Sequence, residues 1–187
     1  MLGLAVVSLG YLAGQVGSPC SPTDDPAQCS ALVSVGVALR YTGWRNHEGW
    51  MGGKSYCSWA GVTCSLAGHV TNLTLENNGL TGYVPPSIGG LRYLEAFNIN
   101  GKRPHTYHGC KGNDLEHSTL PAELFSLQNL TTLFTENACI GGTIPNVGSA
   151  QLQKLQIAKL HNNAISENTA STTAEPQLLT RSLFCLK

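Results

Sequence analysis

The sequence predicts an α/β solenoid, a short right-handed superhelix with a parallel β-sheet on its concave face and a helical cap at its N-terminus. Three observations lead to this fold class. A pattern of spaced leucines followed by asparagine, glycine and proline recurs along the chain, first at an interval of 24 residues. The segment CSWAGVTC, shortly before the pattern, brackets a tryptophan with two cysteines. Glycine is abundant, with 21 residues in a chain of 187, as frequent turns require.

The first copy of the pattern begins at Val70. Leu73 and Leu75 alternate with polar residues, as a short strand with one buried face requires. Asn78 follows at the bend, where its side chain can bond backbone groups that the turn leaves buried. The other template positions supply a turn, the end of the extended segment and an apolar stripe for the return: Leu80, Gly82, Val84, Pro85, Ile88 and Leu91. Because one copy cannot bury its apolar face alone, the copies must stack.

The pattern recurs in three further copies, and an insertion splits the second. That copy begins at Leu94, whereas the third begins at Leu130, 36 residues later. The second copy therefore carries about a dozen extra residues, which we place near residues 100–112. A fourth, partial copy ends at Ile165. We therefore assign the repeats to residues 70–165.

These repeats resemble the plant-type leucine-rich repeat, whose consensus is LxxLxLxxNxLxGxIPxxLxxLxx. Residues 19–69 resemble the N-terminal cap of that family through a predicted helix, paired tryptophans and the ending C-x-W-x-G-V-x-C. Thr135 and Ala138 depart from the consensus in the third copy, where leucine and asparagine are expected. The resemblance implies parallel strands on the concave face and extracellular recognition, as in receptor ectodomains, co-receptors and polygalacturonase inhibitors.

The resemblance also implies a structural disulfide between Cys57 and Cys64, which would let Trp59 cover the open end of the core. Two other interpretations are weaker. A zinc site needs a second pair of ligands at a suitable spacing, and a redox pair has the spacing C-x-x-C.

The chain has seven cysteines, which are many for a cytosolic protein. We expect Cys20 and Cys29 to close a local loop, although one of them could pair elsewhere in the cap. Cys110 in the insertion and Cys139 one repeat later are expected to form a third disulfide, which leaves Cys185 odd. The alternative for HTYHGCKGNDLEH is a metal site built from its imidazole and thiolate groups, namely His105, His108, Cys110 and His117.

Residues 1–18 predict a secretion signal, because MLGLAVVSLGYLAG is an apolar run that ends in small residues. No Lys or Arg precedes the run, so a buried helix or an anchor is the alternative. The run is shorter than the roughly 20 apolar residues that span a bilayer, and no later segment is longer. We therefore expect a secreted or cell-surface protein whose mature chain has no membrane span.

Residues 166–187 form a tail without the repeat pattern. Its first ten residues are too polar to form a core, whereas PQLLTRSLFCLK is apolar. Two alternatives stay open: the apolar end docks on the last repeat as an improvised C-terminal cap, or the whole tail is disordered.

The sequence does not predict an enzyme. It contains no GxSxG, HExxH or phosphate-binding glycine loop. The acidic clusters around Asp114 and at Asp24–Asp25 lack a second acid or nucleophile in a recognisable frame, so we interpret them as solvated loop charges. The formal net charge of zero gives no basic footprint for nucleic acid. We predict no catalytic residue, no metal and no cofactor.

The outward-facing strand positions are therefore the candidate site. In register they form four columns of mixed residue type, as a protein- or peptide-binding surface would, whereas ice binding would need a regular ladder of Thr or Asn. The candidate ligand-binding residues are Thr74, Glu76, Asn98, Asn100, Phe134, Glu136, Lys159 and His161. Asn72 and Asn129 begin Asn-Leu-Thr sequons, which predict N-glycosylation in a secreted chain.

The leading hypothesis is a secreted or cell-surface binding module that recognises a protein or peptide through its concave face and its insertion. The alternative is an inhibitor of a secreted, cell-wall-degrading glycosidase, similar to the polygalacturonase inhibitors. The sequence predicts no oligomeric state.

Overall fold

The structure, a computed structural model, describes residues 18–102, 112–145 and 154–166. Most of the predicted secretion signal, insertion residues 103–111 and the tail from residue 167 lie outside these ranges. The strands and α-helices, in chain order, are α1 (Pro26–Ala38), β1 (Val62–Cys64), β2 (Val70–Thr74), β3 (Ala96–Asn98), α2 (Ala122–Phe125), β4 (Thr132–Phe134), β5 (Gly141–Thr143), β6 (Ile157–Lys159) and β7 (Ala164–Ser166). Short 3₁₀ helices lie at Tyr41–Gly43, Tyr56–Ser58 and Pro86–Gly90.

The predicted solenoid is confirmed by the main sheet, whose strand order is β1-β2-β3-β4-β6. The pairings from β2 to β6 are all parallel, so each repeat adds one strand beside the last. β1 pairs antiparallel with β2 and joins the cap to the first repeat. A smaller parallel pair, β5 and β7, lies downstream of the main strands in the last two repeats.

The core is a stack of apolar side chains, one from each repeat. Leu73, Phe97, Leu133 and Ala158 are register partners on neighbouring strands, and none is more than 6% exposed. Full burial of one such Leu or Phe stabilises the fold by about 1.5–3 kcal/mol. Because each copy covers the next, the spacing of the leucines produces a continuous core rather than separate small ones.

The asparagine of the second repeat is Asn113, which lies after the insertion. Its side chain is fully buried and bonds backbone groups of two repeats. The carbonyl oxygen accepts from the amides of Asn78 and Leu80, and the side-chain amide donates to the carbonyls of Leu75, Ile99 and Asn100. Asn163 repeats this arrangement for the third repeat. The insertion thus leaves the repeat and returns without displacing this buried connection.

The third repeat replaces the asparagine by Ala138, which cannot make those bonds. The backbone compensates in part, because the Leu115 amide donates directly to the Ala138 carbonyl at 3.0 Å. Thr135, at a leucine position, is fully buried, and its hydroxyl has no hydrogen-bond partner among the described residues. Both departures from the consensus therefore fall at one place in the core.

The cap is attached by side chains that bond backbone groups. Asp25 begins α1 by accepting from the amides of Ala27 and Gln28. Gln28 is buried, and its carbonyl oxygen accepts from the Val70 amide, at the first residue of β2. Asp24 accepts from the Tyr56 amide at 3.0 Å. The interpretation as a solvated loop charge was therefore wrong for Asp24, which is half-buried and bonds the Tyr56 amide. Asp25 is exposed to solvent, as expected, but it also caps α1.

Two of the predicted disulfides are confirmed, Cys20–Cys29 and Cys57–Cys64. Trp59 is 2% exposed and lies against Trp50, with ring centroids 4.8 Å apart. This aromatic cluster covers the first repeat. Cys139 is disulfide-bonded, but Cys110 lies outside the described residues, so their pairing stays a prediction.

Candidate ligand-binding face

The parallel register aligns the outward side chains in columns. Partners in the first column are Asn72, Ala96, Thr132 and Ile157, and partners in the second are Thr74, Asn98, Phe134 and Lys159. These are the alignments that the repeat pattern predicts. Neighbouring strands lie about 4.8 Å apart, so four strands offer a face roughly 15 Å wide.

A chain of side-chain hydrogen bonds crosses this face, and we call its members the concave network: Glu76, Asn98, Asn100, Glu136 and His161. The amide of Asn98 donates to Glu76 at 3.2 Å, and its carbonyl oxygen accepts from the Asn100 backbone at 3.0 Å. The Asn100 amide donates to Glu136 at 2.9 Å. His161 Nε2 lies 2.8 Å from the other oxygen of Glu136. All four repeats contribute to this one network.

The two carboxylates of the network differ in exposure. Glu136 has a side chain only 16% exposed, and both of its oxygens have partners. Glu76 is exposed, and only its Oε2 has a hydrogen-bond partner among the described residues. Glu76 is therefore the carboxylate that a ligand could reach.

An apolar patch lies at the other end of the face. The ring of Phe134 is half-buried, and Lys159 Nζ lies 5.0 Å from its centroid. Ile157 is 47% exposed on the neighbouring strand. Ile157 was not among the ligand-binding residues that the sequence predicted, although its apolar type at an outward strand position was a signal for it.

The fourth column marks one edge of the face, where the backbone turns. Asn77, Asn137 and Asn162 adopt left-handed conformations, with φ of 49°, 54° and 57°. Asparagine tolerates this region better than most residues. Gly101 takes the second-repeat position because a Cβ there would collide with the Asn137 carbonyl oxygen. On the cap side, Arg45 donates to the side chain of Asn77 at 2.8 Å.

The insertion emerges at this edge. Gly112 follows it, and a Cβ built on Gly112 would lie only 2.7 Å from the backbone nitrogen of Lys102, which precedes it. Gly112 also accepts from the Gly79 amide. The two ends of the insertion are therefore adjacent in space.

The two sequons have different surroundings. Asn72 is half-buried in the first column, so a glycan there would stand on the candidate face. Asn129 lies outside the strands, where its amide donates to the Arg92 carbonyl and its oxygen accepts from Lys154. The structure leaves their glycosylation a prediction.

The described residues offer no metal cluster: no group of three or more His, Cys, Asp or Glu side chains lies together in ranges 18–102, 112–145 and 154–166. His117 is exposed, whereas the other members of the alternative metal site, His105, His108 and Cys110, lie outside those ranges. A polar cleft does exist in the cap, lined in part by Asp24, Asp25, Tyr56 and His69. The carboxylates of this cleft already accept hydrogen bonds from backbone amides of the cap. We therefore assign them a structural role and do not treat the cleft as a second candidate site.

In the part of the chain that the structure covers, no helix has the length and apolar character that crossing a membrane requires.

Comparisons with known proteins agree with the architecture. No protein-family model matches the chain. The receptor-like protein kinase BRI1-like 3 of Arabidopsis thaliana is 26% identical over 163 residues, which cover 80% of this chain and 14% of the relative. Phytosulfokine receptor 2 of the same plant is 32% identical over 93 residues, 48% of this chain and 8% of the receptor. The chain thus spans about a tenth of the length of these relatives.

Solved structures with this architecture come from plants as well. A plant ice-binding protein superposes with a TM-score of 0.59 at 24% identity, covering 76% of this chain and 42% of the other. The ectodomain of the Arabidopsis thaliana receptor kinase SOBIR1 gives 0.55 at 20% identity, with coverage of 76% and 83%. The Arabidopsis HAESA ectodomain, solved in complex with an IDA peptide hormone, gives 0.50 at 21% identity, with coverage of 73% and 22%. These similarities show the fold.

Proposed function

We propose that the chain, which has the fold of plant leucine-rich repeat ectodomains and resembles them in sequence, is an extracellular binding module that recognises a protein or peptide ligand through its concave face. The observation that carries the proposal is the concave network. Five polar residues from four repeats are already joined by hydrogen bonds, and Glu76 at one end of the network stays exposed to solvent.

Preorganisation explains why this arrangement suits binding. Ordering a long side chain at an interface costs about 0.5–1.5 kcal/mol, and a side chain that is already held avoids part of that cost. Glu136 is held by Asn100 and His161. Phe134 and Ile157 add apolar surface beside it. A ligand would meet a largely fixed surface with one apolar and one acidic end.

The HAESA structure offers support by analogy. That ectodomain, which shares this fold, is described in complex with a peptide hormone. We transfer from it only the class of ligand, a peptide or protein segment. The insertion is the second expected contact, because its ends emerge at the edge of the face and loops on rigid scaffolds carry binding residues.

Capture of a partner tests the proposal. The full oxidised chain would be immobilised and exposed to extracellular fluid of the source organism, in parallel with Phe134→Ala/Lys159→Ala. A matched control, Tyr83→Ala/Arg92→Ala, removes an aromatic and a basic side chain that are exposed outside the strands. We expect the wild type and the control to retain the same partner and the concave variant to lose it. Equal capture by all three proteins would contradict a concave-face site.

The same experiment distinguishes the binding module from the alternative, an inhibitor of a secreted glycosidase. If the captured partner is a cell-wall-degrading glycosidase, its hydrolysis rate is measured with and without the purified chain. Inhibition that the concave variant fails to produce would favour the inhibitor. A captured partner without hydrolytic activity favours the receptor-like binding module.

A further inference from the structure

The charges of the concave face are distributed unevenly across its strands. Glu76, in the first repeat, is exposed and has an oxygen without a partner among the described residues. Lys159 lies at the opposite end, in β6, the last strand of the main sheet, and His161 follows that strand and is paired with Glu136. Phe134 and Ile157 lie at that same end. Asn100 and His161 occupy both oxygens of Glu136. The face therefore has the exposed carboxylate of Glu76 at one end and the exposed amine of Lys159, beside an apolar patch, at the other.

The spacing of these groups on the β-sheet matches the spacing of side chains in an extended peptide. Glu76 and Phe134 are two strands apart and two residues apart along the strand direction, so their side chains are about 12 Å apart. In an extended peptide, side chains i and i+4 point to the same side and are about 13 Å apart. Asn98 and Asn100 lie between these ends and are half-buried. Each side-chain amide donates one N–H within the concave network, to Glu76 and to Glu136, which leaves its second N–H for a peptide carbonyl.

We infer that the face recognises an extended peptide segment with a basic side chain at one position and a large apolar side chain four residues away. The inference rests on the proposed function and makes it specific. The basic residue pairs with Glu76, and the apolar residue packs on Phe134 and Ile157. Lys159 repels a basic residue at the apolar end, so the charge fixes which end each side chain occupies.

Selection from a peptide library tests the pattern without a known ligand. Random 12-residue peptides displayed on phage would be selected on the full oxidised chain, and enriched peptides would be synthesised and titrated by fluorescence anisotropy. We expect enrichment of Arg or Lys separated by four positions from Leu, Ile, Phe, Tyr or Trp. The basic residue can come before or after the apolar residue in the peptide sequence, because the sheet does not fix the direction of the bound peptide.

Charge-neutral variants then locate the contact. Glu76→Gln should weaken binding about three- to fivefold, as loss of an exposed ion pair predicts. Glu123→Gln, which alters an exposed carboxylate on α2 away from the sheet, should change nothing. Replacing the basic peptide residue by Gln should give the same loss on the wild type and no further loss on Glu76→Gln, since only contacting groups couple.

The results can distinguish failure of the peptide pattern from failure of peptide recognition as a whole. Enriched peptides that lack the pattern, or that bind Glu76→Gln unchanged, overturn this inference and leave the binding module standing. If no peptide is enriched in a manner that depends on the concave face, both the inference and peptide recognition are overturned. Complete glycan occupancy of Asn72, measured by mass spectrometry of the secreted chain, also overturns the inference. A glycan there would cover the first repeat, where Glu76 lies.

Discussion

The cap and the concave face both depend on polar side chains, but they use them differently. In the cap, Asp24, Asp25 and Gln28 bond backbone amides, and two disulfides fix the chain around them. On the concave face the network joins mainly side chains of different repeats, as between Asn100 and Glu136, and two of its side-chain oxygens also accept from the Asn100 and Glu136 backbone amides. The cap bonds fix the path of the backbone, whereas the concave-network bonds mainly orient half-buried and exposed side chains on a surface.

This difference has an energetic consequence. A buried backbone group that loses its partner costs about 1–3 kcal/mol, whereas exposed pairs contribute about 0–1 kcal/mol. Substitutions in the cap and at the buried asparagines should therefore reduce stability, and those on the concave face should leave stability nearly unchanged.

The largest effect is expected from Cys57→Ser/Cys64→Ser. The disulfide ties the 3₁₀ helix before Trp59 to β1, and loss of a disulfide in a small secreted domain costs about 2–5 kcal/mol. Denaturant unfolding measures the loss. Thr63→Ser, an exposed position on the same strand, is the control and should leave the midpoint unchanged. Equal midpoints for the double variant and the wild type would mean that the cap is held without this bond.

A second test compares two asparagines directly. Asn113→Ala leaves buried backbone groups of two repeats unpaired and should cost about 2–4 kcal/mol. Asn98→Ala removes only concave-network bonds and should cost less than about 1 kcal/mol. Both are measured by denaturant unfolding under the same conditions. A similar cost for the two variants would remove the distinction between scaffold and surface asparagines.

The sequence predicted the fold and the columns of outward side chains because both follow from the regular spacing of the leucine pattern. Leucine spacing determines which side chains face inward, and stacking in register then aligns Thr74 with Asn98 and Phe134. The concave network was not predictable, because it depends on side-chain rotamers of residues 22 to 36 positions apart. The role of Asp24 was missed for the same reason, because its partner, the Tyr56 amide, is 32 positions away. The cap role of Asp25 had a sequence signal, an Asp directly before a proline at the first helical position.

A smaller and opposite effect is expected at the irregular third repeat. Thr135 is fully buried with a hydroxyl that has no partner among the described residues. Valine has nearly the same shape without the hydroxyl, so Thr135→Val should stabilise the protein by about 1 kcal/mol. Thermal unfolding measures the gain. Thr132→Val, half-buried in the first column of the same strand, is the control and should show a smaller change. Destabilisation by Thr135→Val would show that the hydroxyl has a partner.

The smallest expected effect is a change in how the stability of the cap depends on alkaline pH. Tyr56 is 1% exposed, and its hydroxyl donates to the Gly68 carbonyl at 2.8 Å. Burial raises the pKa of Tyr56 above 10.0, and the nearby negative charges of Asp24 and Asp25 act in the same direction. The folded state thus holds this proton more tightly than the unfolded state does. The stability that results is complete below pH 10.0 and is lost as pH rises through the higher folded-state pKa.

Unfolding free energy measured against pH tests this linkage. Tyr56→Phe should be less stable at neutral pH, because it leaves the Gly68 carbonyl without its donor, but it should decline less steeply above pH 10.0 than the wild type. Tyr93→Phe is the matched control: Tyr93 is 45% exposed, so its variant should decline as the wild type does. Parallel curves for all three proteins would place the alkaline sensitivity outside the cap. A decline that only Tyr56→Phe reduces would show that loss of the buried Tyr56 proton destabilises the cap at alkaline pH.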